Sequence, residues 1–427
     1  MPAAKDILGL NSRNQLFVSL NPASSRSFAS SKYATKLLLD SKDIPVAKIF
    51  GLLATNEDVN DFDWFSLKNN FVIKPTNGSA GKGIVAFKKQ LPDGKHWLDV
   101  LDKTWSIDDI LFHCYDILDG QYSTWGAQHN IIVEERIITH PTIAKYCQKG
   151  TPDLRVIVFN SVPVMAMLRL PTEESEGRAN LHQGAIGAGV DMTTGVTTHA
   201  ITGKGKSIQY LPGTKKKLNG IKIPNWKDYL LTAVQAAEAA HLKFSGIDLF
   251  ISEDRGPLVV ELNANPGLSI QLANEAGLRR RLERVADLQV QNPEHGVRIG
   301  RSLFATIYAD KIISQEGLAV VNPKEKIIVY SDAKERIEVP ALLHTGRFRS
   351  AISYSLAQDL GLLDPEDLLW FQREKREGMA PVVETTIKIK DRKINTAMVV
   401  SKRLNKTKHK MEIGRRDLAG FLIGTSQ

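Results

Sequence analysis

Three oxygen-bearing side chains in the middle of the chain, Asp248, Glu261 and Asn263, are spaced so that they can meet. The stretch that carries them, 246–263, reads as two apolar strands joined by a polar turn at 252–256. Side chains alternate along a strand, so Glu261 and Asn263 share a face. A hairpin centred between Asp254 and Arg255 sets Asp248 opposite Glu261, with Cβ atoms roughly 5 Å apart. Two carboxylates and an amide oxygen then converge. Such hard oxygen donors suit Mg2+, or Mn2+, an ion that keeps several waters and bridges to phosphates. A solvated surface hairpin is the plainer alternative, but Glu261 and Asn263 interrupt an otherwise buried-looking strand.

A second constellation would handle anions. A short strand at 71–75 ends in Lys74-Pro75, and the loop 76–83 that follows carries Gly78, Ser79, Gly81 and Gly83 before a strand resumes at Ile84. A glycine-rich turn between strands lets backbone N–H groups cradle phosphate oxygens. The order is neither that of a Walker A loop nor that of a kinase, because here the lysine precedes the glycines and points back at the phosphates. The apolar strand at 130–138 contains Glu134 and Glu135; neighbouring strand residues face opposite ways, so one acid reaches a cleft while the other meets solvent. Asp153 and Arg155 share one face of a strand at 153–159, and Arg169 ends another apolar strand. The loop 178–184, with Arg178 and Asn180, has anion-binding chemistry.

The elements that must hold these groups can be read coarsely. Residues 1–31 are mixed and polar, with serines clustered at 24–31. A helix is expected over 32–41, ended by Ile44-Pro45, because the residue before proline avoids the helical region. Residues 92–130 read as a helical insertion opened by a Ser106/Asp109 capping box. Further helices are expected at 226–242, 273–288 and 303–313, and a boundary near 317–323. The last hundred residues turn strand-rich, at 327–330, 337–343, 382–389 and 394–400, with a helix at 353–360.

Bulk properties narrow the function classes. The 427 residues allow two or three domains, and 42% hydrophobic content supplies a core. The net charge of +9 is partly local, at lysines 204–222 and at 402–410, which read as solvated loops. No stacking aromatics interleave with them, which argues against nucleic acid as a partner. Cys114 and Cys147 are far apart, which argues against a disulfide framework and a zinc site and suits a reducing compartment. Neither a signal-peptide core nor a membrane-length apolar run is evident, so a cytoplasmic location without membrane partners is expected.

Together these motifs resemble the ATP-grasp superfamily, and within it the RimK-type glutamate ligases, over about residues 32–315. Lys32 looks like the family's first ATP lysine, and Lys74 like its second, ahead of the flap that holds Gly78, Ser79, Gly81 and Gly83. The segment 132–137 looks like the hinge that binds adenine through backbone groups, at Ile137, and ribose through an acid, Glu134 or Glu135. Asp153 and Arg155 match Asp-x-Arg, and Arg178-Ala-Asn180 matches Arg-Ser-Asn. Asp248, Glu261 and Asn263 match the metal ligands, with Asn265-Pro266-Gly267 completing the signature. The resemblance implies ATP and Mg2+ as cofactors and a carboxylate–amine ligase working through an acyl phosphate. An amino-acid donor, glutamate by analogy, would join an acidic or peptide acceptor, with Arg178, Arg155 and Asn180 as catalytic groups. RimK-type enzymes carry a full α/β domain ahead of the first lysine, whereas 31 residues precede Lys32 here. That domain helps to shape the substrate side of the cleft, so the resemblance does not transfer the acceptor. The alternative from another class is a nucleotide-binding regulatory or scaffold protein.

Residues 327–427 resemble retropepsin-like, RimB-type domains. The strand ending His344-Thr345-Gly346 stands where that family has Asp-Thr-Gly, and the segment 413–418 is similar to its second hydrophobic-Gly motif. With His344 in place of the aspartate, no proteolysis by an aspartic mechanism is expected; peptide binding or a homodimer through this domain is expected instead. The expected architecture is therefore a 1–31 segment, a mixed α/β (α+β) ATP-grasp domain at 32–315, a linker at 316–326 and a small, mostly-β retropepsin-like domain at 327–427.

Overall fold

Two-residue alternation builds the first sheet. Phe71, Ile73, Phe87, Ile131 and Val133 point into one core, while Lys74 and Glu134, each one residue out of phase, take the opposite face. The computed structural model describes residues 4–76, 82–122, 130–304, 319–330, 336–365, 367–374 and 377–424. It divides into two units, Met1–Val297 and Arg298–Gln427.

The first unit holds two antiparallel sheets. One runs, in spatial order, Ile49–Leu53, Ile131–Glu135, Asn69–Pro75, Val85–Gln90, His96–Asp99 and Thr104–Ser106. Its core face is covered by the helices Asn56–Asp61 and Ile107–Leu118, through Val59, Ile110, Cys114 and Ile117. The expected Ser106/Asp109 capping box is present, but the helical insertion is shorter than the sequence suggests. Strands occupy 96–106 because Asp99 closes the turn between them, accepting from Leu101 N at 2.8 Å, Lys103 N at 2.9 Å and Trp105 Nε1 at 3.0 Å.

The second sheet runs Ser207–Ile208, Thr197–Ile201, Ile186–Val190, Val162–Leu170, Asp153–Phe159, Phe244–Ser252 and Gly256–Asn263. The helix Trp226–Ala239 packs against its last strands through a buried stripe that includes Tyr229, Leu230, Ala233 and Val234. The helix expected at 273–288 is two short pieces, Ile270–Ala273 and Leu278–Glu283. Between them Gly277 passes so close to the N-terminal segment that a Cβ would lie 2.1 Å from Asp6 O. A helix at Pro293–Leu303 ends where the one expected at 303–313 would begin, and 305–318 lie outside the described residues.

Residues 1–31 are part of the first unit and not a separate segment. Two helices, Leu10–Leu16 and Ala23–Ser30, form there. Asn21 donates to Phe244 O at 2.7 Å and accepts from Phe244 N at 2.9 Å, so one carboxamide caps a strand of the second sheet. Phe17 packs edge-on against Phe159 with ring centres 5.4 Å apart. The division between units falls at 297/298, earlier than the expected linker at 316–326.

The second unit is a β-barrel. Its strands follow Lys324–Tyr330, Arg336–His344, Met411–Gly414, Ala351–Ser353, Arg392–Ser401 and Gly378–Ile389, and the last pairs back to the first. Leu368–Glu374 is added at the edge. The helix expected at 353–360 is Tyr354–Asp359, N-capped by Ser353. No helix among the described residues is long and apolar enough to cross a membrane.

Candidate active site

The hairpin of Phe244–Ser252 and Gly256–Asn263 pairs Asp248 with Glu261, but not for the reason the spacing suggests. Its turn is centred on Asp254, since Ser252 pairs with Gly256. Plain pairing from there would set Val260 against Asp248. A bulge at Val260 adds one residue and turns both Val260 and Glu261 to the same side, where both line a cavity of about 1310 Å3.

On the neighbouring strands, Asp248 lies opposite Arg155, and Asp153 opposite Arg169. The second pairing is set by a two-residue turn at Asn160 and Ser161, with φ of 51° and 57°, the signature of a type I′ hairpin, followed by a bulge. The four side chains interlock. Arg155 donates Nε to Asp248 Oδ1 and Nη2 to Oδ2, both at 2.7 Å. Arg169 Nη2 lies 2.8 Å from the same Oδ2, and its Nε and Nη2 reach the two Asp153 oxygens at 2.5 Å. Burial pushes Asp248 upward, but the charges of Arg155 and Arg169 outweigh it and hold the carboxyl below its usual range. Burial raises Asp153, against the pull of Arg169 and with the charge of Asp248 adding to the rise.

Among the described residues no three His, Cys, Asp or Glu side chains gather as a metal site. A cation at this hairpin must therefore use the amide oxygen of Asn263 beside the carboxylates. That donor set fits a hard divalent ion. Glu261 is half-buried and makes no hydrogen bond or close ion pair among the described residues; the nearby cation that its charge acts on is Lys32. Asn263 donates Nδ2 to Asp248 Oδ2 at 3.2 Å, which leaves its Oδ1 for a cation. Asp248 Oδ2 already accepts from three donors and Oδ1 from one, so Oδ1 is the oxygen with a lone pair left.

The opposite sheet supplies Lys74, and the helix Lys32–Asp40 supplies Lys32 and Lys36. Lys74 Nζ lies 2.5 Å from Glu134 Oε1, and Lys36 Nζ lies 2.5 Å from Oε2. Lys32 is one helical turn before Lys36, and burial lowers its pKa while Glu261 raises it. Of the acid pair, Glu134 points inward and Glu135 is more exposed, as alternation requires. Neither is a free carboxylate: Glu135 Oε2 accepts from Arg255 Nη2 at 2.7 Å and from Lys48 N at 3.2 Å. Ile137 is buried with Ala47 and Leu258. Gly78, Ser79 and Gly81 lie outside the described residues. Gly83 has φ of 73°, and a Cβ there would sit 2.9 Å from the Tyr122 ring.

Arg178 stands in a loop whose close approach of Gly150 to Gly177 has no room for a Cβ on Gly150, and it pairs with Glu176 at 3.2 Å. Asn180 spends Oδ1 on His182 N at 3.0 Å. Apart from Gly83, every described residue of the expected set lines the one cavity. Two residues that sequence reasoning passed over belong with the site: Arg169, which lines the cavity, and Lys36, which stands behind it on Glu134. Arg169 was visible as a strand end, but its partnership with Asp153 depends on the Asn160-Ser161 turn. Lys36 carried a signal in its spacing of four from Lys32, which puts both on one helix face.

Two sheets around one cavity, with Lys74 beside Glu134 on one, Asp153, Asp248, Arg155 and Arg169 on the other, and Lys32 entering from a helix, make up an ATP-grasp protein. The model of the sugar-transfer associated ATP-grasp family matches residues 11–287, and the chain belongs to that family. Shorter matches reach proteins named as glutamate ligases. A probable alpha-L-glutamate ligase of Pseudoalteromonas translucida is 31% identical over 143 residues, 34% of this chain and 33% of that protein. Its counterpart in Picosynechococcus sp. is 32% identical over 143 residues, with the same coverage of 34% and 33%. The match spans about a third of the length of these curated relatives. Among solved structures, the ATP-grasp ligase PsnB with minimal precursor gives a TM-score of 0.34 at 14% identity over 62% of each chain. D-alanine–D-alanine ligase from Bacillus anthracis with ATP gives 0.34 at 13% identity, over 65% of this chain and 77% of that one.

Proposed function

We propose that the first unit is a RimK-type, ATP- and Mg2+-dependent carboxylate–amine ligase. It activates a carboxylate as an acyl phosphate and lets an amine displace the phosphate. The donor is an amino acid, glutamate by kinship with the named ligases, and the acceptor is a peptide, protein or small acid. The observation that carries this reading is the single sheet face on which Asp248, Glu261 and Asn263 stand beside Arg155, in a cavity fronted by Lys32 and Lys74.

A carboxylate resists amine attack because an oxide would have to leave. Transfer of a phosphoryl group from ATP to the carboxylate oxygen gives a stable leaving group; the amine then takes the acyl carbon, and phosphate departs with the bonding pair. Mg2+ held by Glu261, Asn263 and Asp248 would neutralise charge on the β- and γ-phosphates. Lys32 and Lys74 hold the anionic tail. Arg155 and Arg169, pinned by Asp153 and Asp248, fix positive charge beside it. Arg178 donates to the oxyanion of the tetrahedral stage, a role whose loss commonly costs on the order of 100-fold in rate. Asn180 has its amide N–H groups left for the substrate.

The second unit fits a retropepsin-like, RimB-type domain without protease activity. His344 is exposed at the end of Arg336–His344, its Nδ1 accepting from Arg347 N at 3.2 Å. An aspartic protease needs two carboxylates that share a proton, which imidazole cannot replace. The domain binds peptide or pairs two chains; pepstatin-sensitive cleavage by the full chain would refute this.

A screen of amino acids and acidic peptides for stimulated ADP release, with mass spectrometry of the products, tests the ligase reading. Tight MgATP binding with no stimulation by any pair would leave a nucleotide-binding scaffold in its place.

A further inference from the structure

Two ammonium groups share Glu134, and of the two only Lys74 lines the cavity. Lys36 stands behind, 3% exposed, and Glu134 is 4% exposed. One buried negative charge between two positive ones leaves the trio with a surplus of +1. That ratio decides what Lys74 can do. A carboxylate matched to a single lysine forms a closed, neutral pair and draws the ammonium onto both of its oxygens. With Lys36 on Oε2, the carboxylate offers Lys74 only Oε1. An ammonium has three N–H donors, so two of those on Lys74 stay available.

A packing role does not account for Lys36. Burial, with the charge of Lys74 second, drives its ammonium down to about 8. Apolar side chains of similar volume commonly replace buried ions at no cost in stability. A cation kept here against that cost points to use.

We propose that Lys36 is a positioning residue for phosphate binding: by holding Glu134 Oε2 it confines Glu134 to one oxygen on Lys74 and keeps Lys74 Nζ turned to an anion in the cavity. This rests on the reading of the cavity as a nucleotide site.

The test is MgATP affinity of the full chain by titration calorimetry, for the wild type, Lys36→Met, Lys36→Arg and the double variant Lys36→Met/Glu134→Gln, with thermal melts alongside. Lys36→Met is expected to bind roughly tenfold more weakly, the worth of one charge-assisted hydrogen bond. Lys36→Arg keeps most of the affinity. Adding Glu134→Gln removes the charge that captures Lys74 and recovers most of the loss. Should Lys36→Met fail to fold, the double variant, whose one remaining charge is that of Lys74 on the cavity side, carries the test against Lys36→Arg. Lys36→Met binding like the wild type, a double variant as weak as Lys36→Met, or losses that track melting temperature would overturn the inference alone. A wild-type chain that binds no MgATP would overturn the nucleotide reading beneath it.

Discussion

Asp248 meets Glu261 across the hairpin, yet the two carboxylates live in different surroundings. Asp248 is 3% exposed and gripped by two guanidinium groups; Glu261 is half-buried and makes no hydrogen bond among the described residues. Replacement of either by alanine is expected to abolish ATP turnover, but only one should disturb the fold. Asp248→Ala strands Arg155 and Arg169, and breaking a buried ion pair from one side costs about 3–5 kcal/mol. Glu261→Ala is expected to stay within about 0.5 kcal/mol of the wild type, as for other sites without such features. Urea unfolding beside an ADP-release assay checks both. Equal stability of the two variants, or surviving turnover in either, would contradict the assignment.

Arg169 joins Asp153 to Asp248, so its loss should unfold more than it inactivates. Arg169→Met leaves Asp153 without its fork and is expected to cost about 3–5 kcal/mol in urea. Arg169→Lys should rescue little, because a point charge cannot reproduce two parallel bonds to one carboxylate and a third to another. A lysine variant with wild-type stability would show that charge alone suffices.

How far the sequence carried these conclusions depended on distance along the chain. The hairpin that pairs Asp248 with Glu261 was legible because these partners are thirteen residues apart and joined by an evident turn. Even so, the centre of the turn and the bulge at Val260 were hidden, since two offsetting one-residue shifts leave the same pair aligned. The first-sheet strands were legible by alternation. Residues 96–106 were not, because the Asp99 turn works through side-chain acceptance that periodicity does not register. The Lys36–Glu134–Lys74 trio joins a helix and two strands through contacts of up to about a hundred residues, beyond any local pattern. The docking of 1–31 onto Phe244 was invisible for the same reason.

Gly83 belongs to the glycine loop by sequence, but local geometry accounts for it. Its φ is 73°, and the Tyr122 ring closes the space where a Cβ would go. Its carbonyl lies 3.1 Å from His113 Nε2, and His113 Nδ1 lies 3.3 Å from the Tyr122 hydroxyl, so the neutral imidazole with its proton on Nε2 satisfies both. Gly83→Ala is expected to destabilise the chain by about 1–3 kcal/mol through backbone strain. Gly83→Ala combined with Tyr122→Ala should recover only the steric part, because the strain in φ remains. Full recovery in urea titrations would mean that φ contributes nothing.

The buried ammonium of Lys36 makes stability depend on alkaline pH, with a sign opposite to that of a lysine in a surface ion pair. Its folded-state pKa falls from 10.5 to about 8, chiefly by desolvation. Below 8 both states hold the proton, and the folded state bears the full cost of burying the charge. Between 8 and 10.5 the folded chain has released a proton that the unfolded chain keeps, so stability rises with pH through that window. At about 1.4 kcal/mol per pKa unit, the rise approaches about 3 kcal/mol. Other groups titrate there too, so the quantity to measure is the stability of the wild type minus that of Lys36→Met, by urea unfolding at steps from pH 7 to 10.5. That difference should climb steadily in favour of the wild type. A flat difference would mean that Lys36 keeps an ordinary pKa inside the fold, and a falling one that Glu134 stabilises its charge by more than burial costs.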